Sequence, residues 1–133
     1  MSLVSFVKIR ESTTNSLKQV ILESLDLIDY FLPKKAENVV IKPNMCYYWD
    51  YTTGQTTDPK FVAALINLIR EKTSPNTDIS ILESDASAMK CKYAFKMLGY
   101  EKLANDYNVK LVNLSEDKND IVEVTAGGQT FRL

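Results

Sequence analysis

Histidine is absent from all 133 residues, which removes whole classes of mechanism. No Ser-His-Asp or Cys-His machinery can be assembled within this chain, and no imidazole can hold a metal. Acid–base chemistry would fall to Asp, Glu, Lys, Tyr or Cys. Cysteine is scarce too: Cys46 and Cys91 form no CxxC unit and lie far apart, so neither a zinc knuckle nor a disulfide framework is indicated. There is no surplus of positive charge, since 16 basic residues face 17 acidic ones for a net charge of −1. General binding to nucleic acid or to anionic membranes draws on excess Lys and Arg and is not expected. Lys34-Lys35 and the Lys90, Lys92, Lys96 set read as solvated turns and helix faces. No run approaches the roughly 18–20 apolar residues of a membrane span, and no basic-plus-apolar leader opens the chain. The expectation is a cytoplasmic protein with reduced thiols.

What is present suits one domain over residues 1–133, with 45% apolar and 25% charged residues, enough for a hydrophobic core. "LVSFVKI" (3–9) has strand composition. Leu17, Ile21, Leu25, Ile28 and Leu32 then recur at steps of three and four, the period of an amphipathic helix. Ser12 or Thr13 can cap it, and Pro33 should end it. "VVI" (39–41) and "ISIL" (79–82) read as strands covered on both faces. Asp58-Pro59 reads as an N-cap followed by proline at the first helical position, opening a helix with apolar positions from Phe61 to Ile69. A third helix from near Ala88 carries Cys91, Phe95 and Leu98 on one stripe and stops at Gly99. "YEKLANDY" is further helix, and "VKLVNL" (109–114) a fourth strand. The order β-α-β-α-β-α-β predicts an α/β fold. Its three-layer arrangement would have a mostly parallel sheet of about four strands with helices on its faces. A C-terminal β-hairpin follows around Gly127-Gly128. The chain stops inside the second hairpin strand, which reads as a fragment of a longer protein.

In open α/β sheets ligands bind beyond the carboxyl ends of the strands. Three such ends are polar here: Lys42-Pro43-Asn44, Glu83-Ser84-Asp85-Ala86-Ser87, and Asn113 to Asp117. The connection after Lys42 is about fifteen residues long against the usual ~2–6, and connections of that length are often binding loops. Within it, Thr56 and Thr57 lead into a helix N-terminus that could favour an anion. Asp58 competes for the same N–H groups as a cap and would repel phosphate. Tyr47, Tyr48, Trp49 and Tyr51 could stack on a planar ligand or close a lid. They could equally pin the loop to the domain or dock another surface. Cys46 would be reactive only beside a positive group such as Lys42; Cys91 reads as core. Glu83 and Asp85 would point the same way on a continuing strand, as an acid–base pair or divalent-metal ligands require. The plainer reading is that Asp85 or Ser87 caps the next helix. Lys42 could neutralise Glu83 or Asp85, or hold a substrate carboxylate or phosphate.

The ordered set "VVIKPNM", "GQTTDPKFVAALINLI", "DISILESDAS" and "FKMLGYEKLANDYNVKLVNLSED" resembles the family catalogued as domain of unknown function 362, over roughly residues 4–133. The resemblance implies a longer full-length protein, in some members joined to ferredoxin-like iron–sulfur modules. This chain lacks the clustered cysteines of such a module, so no iron–sulfur cluster is expected in it. Carried over, the family motif falls on Lys42, Pro43, Asn44, Gly54, Thr56, Thr57, Glu83, Ser84 and Asp85. No activity comes with the resemblance.

Two functions therefore stand at this stage. In the first, a small anionic molecule binds at the C-terminal edge of the sheet through Lys42, Asn44, Thr56, Thr57, Ser84 and Ser87. Glu83 or Asp85 would then act as base or as ligand to a divalent metal. In the second, the domain is non-catalytic. It docks a redox (iron–sulfur) partner, or the remainder of the protein, through Tyr47, Tyr48, Trp49 and Tyr51.

Overall fold

A computed structural model describes residues 2–118 and 122–132 of the chain. The first helix, α1 (Thr14–Asp26), starts where Thr13 accepts the Ser16 amide on its side chain at 3.2 Å. It stops seven residues short of Pro33. Asp29 adopts φ 52°, the Tyr30 amide reaches back to the Leu25 carbonyl at 3.0 Å, and the Asp29 amide to Asp26 at 3.1 Å. Those two bonds close a Schellman turn with Asp29 in the left-handed position usually held by glycine, so Pro33 has no helix left to end. Ile28 and Leu32 leave the helix with it. Leu32 still packs against the α1–α2 cluster.

Three parallel strands follow: β1 (Asn38–Ile41), β2 (Asp78–Glu83) and β3 (Lys110–Asn113), in the spatial order β1-β2-β3. Between β1 and β2 runs α2 (Pro59–Lys72); between β2 and β3 run α3 (Cys91–Met97) and α4 (Tyr100–Tyr107). The register places Ile41 beside Ile81 and Ile81 beside Leu111, so one sheet face is continuous apolar surface. Val62, Ile66 and Ile69 of α2 bury that face together with Ala94, Phe95, Tyr100 and Leu103 of α3 and α4. On the other face Val40 stays 59% exposed.

The sequence of α2 explains its depth. Val62, Ile66 and Ile69 face the sheet, while Ala64 and Leu68 meet Leu17 and Ile21 of α1. At 100° per residue those two faces lie about 140° apart around the helix, which therefore sits between the sheet and α1. Asp58 caps it by accepting the Lys60 amide at 2.8 Å, with Pro59 in the first turn, as the sequence indicates. Gly99, at φ 82°, makes the break between α3 and α4.

The strand expected over 3–9 does not form. Those residues are irregular, with Val4 90% and Phe6 92% exposed. β-Composition alone does not make a strand; a ladder partner must be present. The sheet accordingly has three strands rather than about four. The C-terminal hairpin is observed as β4 (Glu123–Ala126) and β5 (Gln129–Arg132), antiparallel, with Gly127 and Gly128 both at positive φ as a type I′ turn requires. No helix among the described residues is long and apolar enough to cross a membrane.

Candidate functional site

Because the sheet is parallel, the polar ends of β1, β2 and β3 converge on one edge. Lys42 leaves β1 there, and its Nζ donates to Glu83 Oε1 at 2.8 Å. The two partners differ in environment: the Glu83 side chain is 8% exposed and that of Lys42 55%. The other Glu83 oxygen accepts the Ser84 amide at 3.0 Å. A buried carboxylate thus holds a half-exposed ammonium at the rim. Among the described residues that is the one hydrogen bond Lys42 Nζ makes, leaving two of its three N–H donors.

Asp85 turns to different partners. One oxygen accepts the Cys91 amide at 2.9 Å and Asn113 Nδ2 at 3.3 Å; the other accepts Lys90 Nζ at 2.8 Å. Its own amide donates to Ser115 Oγ at 2.8 Å. This one residue therefore joins the exits of β2 and β3 to the start of α3. The helix expected near Ala88 begins instead at Cys91, because Ala86 and Met89 close a tight turn with hydrogen bonds of 2.9 and 3.2 Å. Asp85 caps α3 across that turn, and Ser87 lies exposed in it. Lys90's ammonium, then the Cys91 N–H, holds the Asp85 carboxyl below its ordinary range; Asp85 in turn raises Lys90.

Glu83 and Asp85 consequently do not share a partner. No group of three or more His, Cys, Asp or Glu side chains is gathered for a metal among the described residues. Cys91 is fully buried, and its thiol is pushed up to about 11 by burial and by the charges of Glu83, Asp85 and Glu116. That environment opposes thiolate formation and fits a core residue.

The long loop has a closed base. The Asn44 amide donates to Thr57 Oγ1 at 3.0 Å, the Thr57 amide to the Asn44 carbonyl at 2.8 Å, and Asn44 Nδ2 to the Gln55 carbonyl at 2.6 Å. Tyr100 OH, from α4, donates to the Thr57 carbonyl at 2.8 Å. Thr57 is thus occupied on its side chain, amide and carbonyl. Thr56 is buried at 6% exposure, and its hydroxyl has no hydrogen-bond partner among the described residues. The first turn of α2 offers an anion little: Lys60 N is taken by the Asp58 side chain, and Phe61 N and Val62 N by the Asp58 carbonyl.

The aromatics of the loop divide into an anchor and a display. Tyr48 packs against the core, and its hydroxyl accepts the Lys90 amide at 2.9 Å. Met45, at 7% exposure, is a second anchor. Tyr47, Trp49 and Tyr51 are 44%, 46% and 40% exposed. Tyr47 lies 4.7 Å from Tyr48 and 5.9 Å from Trp49 between ring centroids, the latter edge to face. Tyr47 reaches this position at φ 57°, a conformation that costs a non-glycine residue about 1 kcal/mol or more. Asp50 caps the 3₁₀ turn Tyr51–Thr53 through the Thr52 amide at 2.9 Å, which lowers its carboxyl from the ordinary value.

Lys42 pairs with Glu83, one of the two partners the sequence offers, and the Ser84 amide joins them, while Asn44, Thr56 and Thr57 lie at the base of the loop. Sequence reasoning missed the roles of Lys90, Tyr100 and the Tyr48 hydroxyl. Tyr48 and Tyr100 act across 42 and 43 positions, with a backbone atom as partner, and no local pattern marks such a contact; Lys90 pairs with Asp85 only five positions away, but across the tight turn between Ala86 and Met89.

Against known proteins, the family model described as Domain of unknown function (DUF362) matches residues 39–133. No curated protein and no solved structure matches the chain.

Proposed function

The chain belongs to the Domain of unknown function (DUF362) family, and on that premise we propose that it binds a small anionic ligand at the C-terminal edge of its sheet. One observation carries the reading. Lys42 is held at the edge by the buried Glu83, with its side chain 55% exposed and two donors uncommitted within the chain. An ammonium fixed this way is oriented before a ligand arrives, so little side-chain entropy remains to be lost on binding. A carboxylate or phosphate reaching those donors would meet the half-exposed Lys42 ammonium at the rim of the sheet edge. A divalent cation carried by Glu83 or Asp85 belongs to the same reading as a separate arm of its test.

The test is a thermal-shift panel of inorganic phosphate, phosphorylated metabolites and small carboxylic acids, each with and without Mg²⁺. A true ligand at a hundred times its Kd stabilises by about 2.7 kcal/mol. Lys42→Ala should abolish that gain. An unchanged gain in Lys42→Ala, or no stabilisation by any anion, sinks the assignment.

A second reading is favoured by a separate observation: three aromatic side chains are presented on a loop whose base and anchor are fixed. In this reading the loop docks a partner surface, either a ferredoxin-like module or the remainder of a longer chain. Exposed aromatic groups on a pre-ordered backbone lose little freedom on binding.

A further inference from the structure

The aromatic loop has a charge as well as a shape. From Pro43 to Pro59 it contains Asp50 and Asp58 and no Lys or Arg. Asp58 is committed to the cap of α2, with Lys60 N on its Oδ1. Asp50 stands between Trp49 and Tyr51, and the Thr52 amide engages its Oδ1. Its Oδ2 has no protein partner among the described residues. Aromatic faces are negative and attract cations, and an adjacent carboxylate adds to that attraction. The neighbouring Lys90 ammonium is paired with Asp85, so the loop's own groups favour a positive group over an anion.

Its form decides what kind of cation. Two cavities among the described residues lie elsewhere. One, of about 980 Å³, is lined by residues such as Leu22, Leu25 and Phe31; the other, of about 320 Å³, lies between Pro59 and Leu103. The rings line neither. Small molecules bind mostly in concave sites, whereas an open shelf suits a macromolecular surface. A guanidinium can stack on Tyr47 or Trp49 and pair its N–H groups with a carboxylate at once, which an ammonium does less well.

We propose that Tyr47, Trp49 and Tyr51, with Asp50 next to Trp49 and Tyr51 in the chain, form a docking shelf for a partner protein that presents an arginine-bearing basic segment. The inference rests on the docking reading of this loop and adds the charge of the partner. It makes the loop complementary to the Lys42 edge, which takes the opposite charge.

Trp49 is the only tryptophan, so its emission reports on the shelf directly. The intact chain would be titrated with matched short peptides bearing arginine, lysine, a neutral residue or glutamate, and separately with tetramethylammonium. The expected order is arginine, then lysine, then neutral, then glutamate, with the arginine response weakening as salt rises. Asp50→Asn keeps an oxygen for the Thr52 amide and should fold, yet weaken the arginine peptide roughly tenfold. Neutral or acidic peptides binding as tightly as arginine would overturn the basic partner and leave the docking reading intact. Tetramethylammonium matching the arginine peptide would overturn a protein occupant in favour of a small cation. No response of Trp49 to any peptide would overturn both the inference and the docking reading.

Discussion

Replacing Tyr100 by phenylalanine removes one oxygen atom from the place where α4 holds the base of the long loop. Tyr100 is fully buried, and its hydroxyl donates to the Thr57 carbonyl at 2.8 Å. The phenyl ring retained in the variant still packs on Phe95, whose ring lies 6.3 Å away between centroids, so no large cavity opens. The cost is then a lost hydrogen bond plus a carbonyl deprived of its side-chain donor, about 1–2 kcal/mol. For a domain of this size that corresponds to roughly 3–8 °C in Tm. Urea unfolding should show a lower midpoint with an unchanged m-value, because the surface exposed on unfolding is the same.

The pH dependence gives a sharper test. Burial first, and the charge of Asp58 second, raise the Tyr100 phenol above its ordinary value of 10.0. Above that pH the unfolded chain releases the proton while the folded chain keeps it. The unfolded state then binds fewer protons, so stability falls as pH rises. Below pH 10 this contribution is fully present. Tyr100→Phe should therefore lose stability near neutral pH and show a shallower decline above pH 10 than the parent. A Tm within about 1 °C of the parent at pH 7, with parallel alkaline slopes, would refute the buried hydrogen bond.

Three other perturbations follow from the geometry. Lys42→Met should cost about 1–2 kcal/mol, because it leaves the buried Glu83 carboxylate with the Ser84 amide alone; Lys42→Met with Glu83→Gln should recover most of it, as urea midpoints would show. With a thiol reagent at pH 8, the partly exposed Cys46 should react in the native protein and Cys91 only on unfolding, since Cys91 is buried with its thiol pushed up to about 11; mass spectrometry of the labelled peptides decides this. Phe6→Ser should change stability by less than about 0.5 kcal/mol, because that ring is already 92% exposed; a larger loss would mean that residues 3–9 pack somewhere after all.

The sequence was most legible where a local rule and a tertiary partner agree. Asp58-Pro59 begins a helix and Gly99 ends one, because capping and left-handed turns depend on neighbouring residues alone. β2 forms where "ISIL" reads as a strand, but only the face of Ile79, Ile81 and Glu83 is fully buried, not both faces as its composition suggests. Where the rule was local and the partner missing, the reading failed. Residues 3–9 have the composition of a strand and no ladder to join, and α1 ends at Asp26 because backbone bonds close a turn through Asp29 before the proline is reached. For the candidate site, the convergence of the polar strand ends was legible and the commitments of their side chains were not. Polar residues at strand ends mark the edge from sequence alone, but only the fold shows which are consumed in holding it together. Asn44 and Thr57 satisfy each other, Asp85 caps α3 from across a turn, and Tyr48 is drawn inward to Lys90. Subtracting those commitments leaves Lys42 with uncommitted donors, and three exposed aromatic rings on the loop that carries Asp50. On the two proposals the surfaces take ligands of opposite charge, so a single anionic ligand spanning both would meet attraction at Lys42 and repulsion at the rings. That opposition separates the two binding readings physically: anion titrations test the edge, and cationic peptides test the loop.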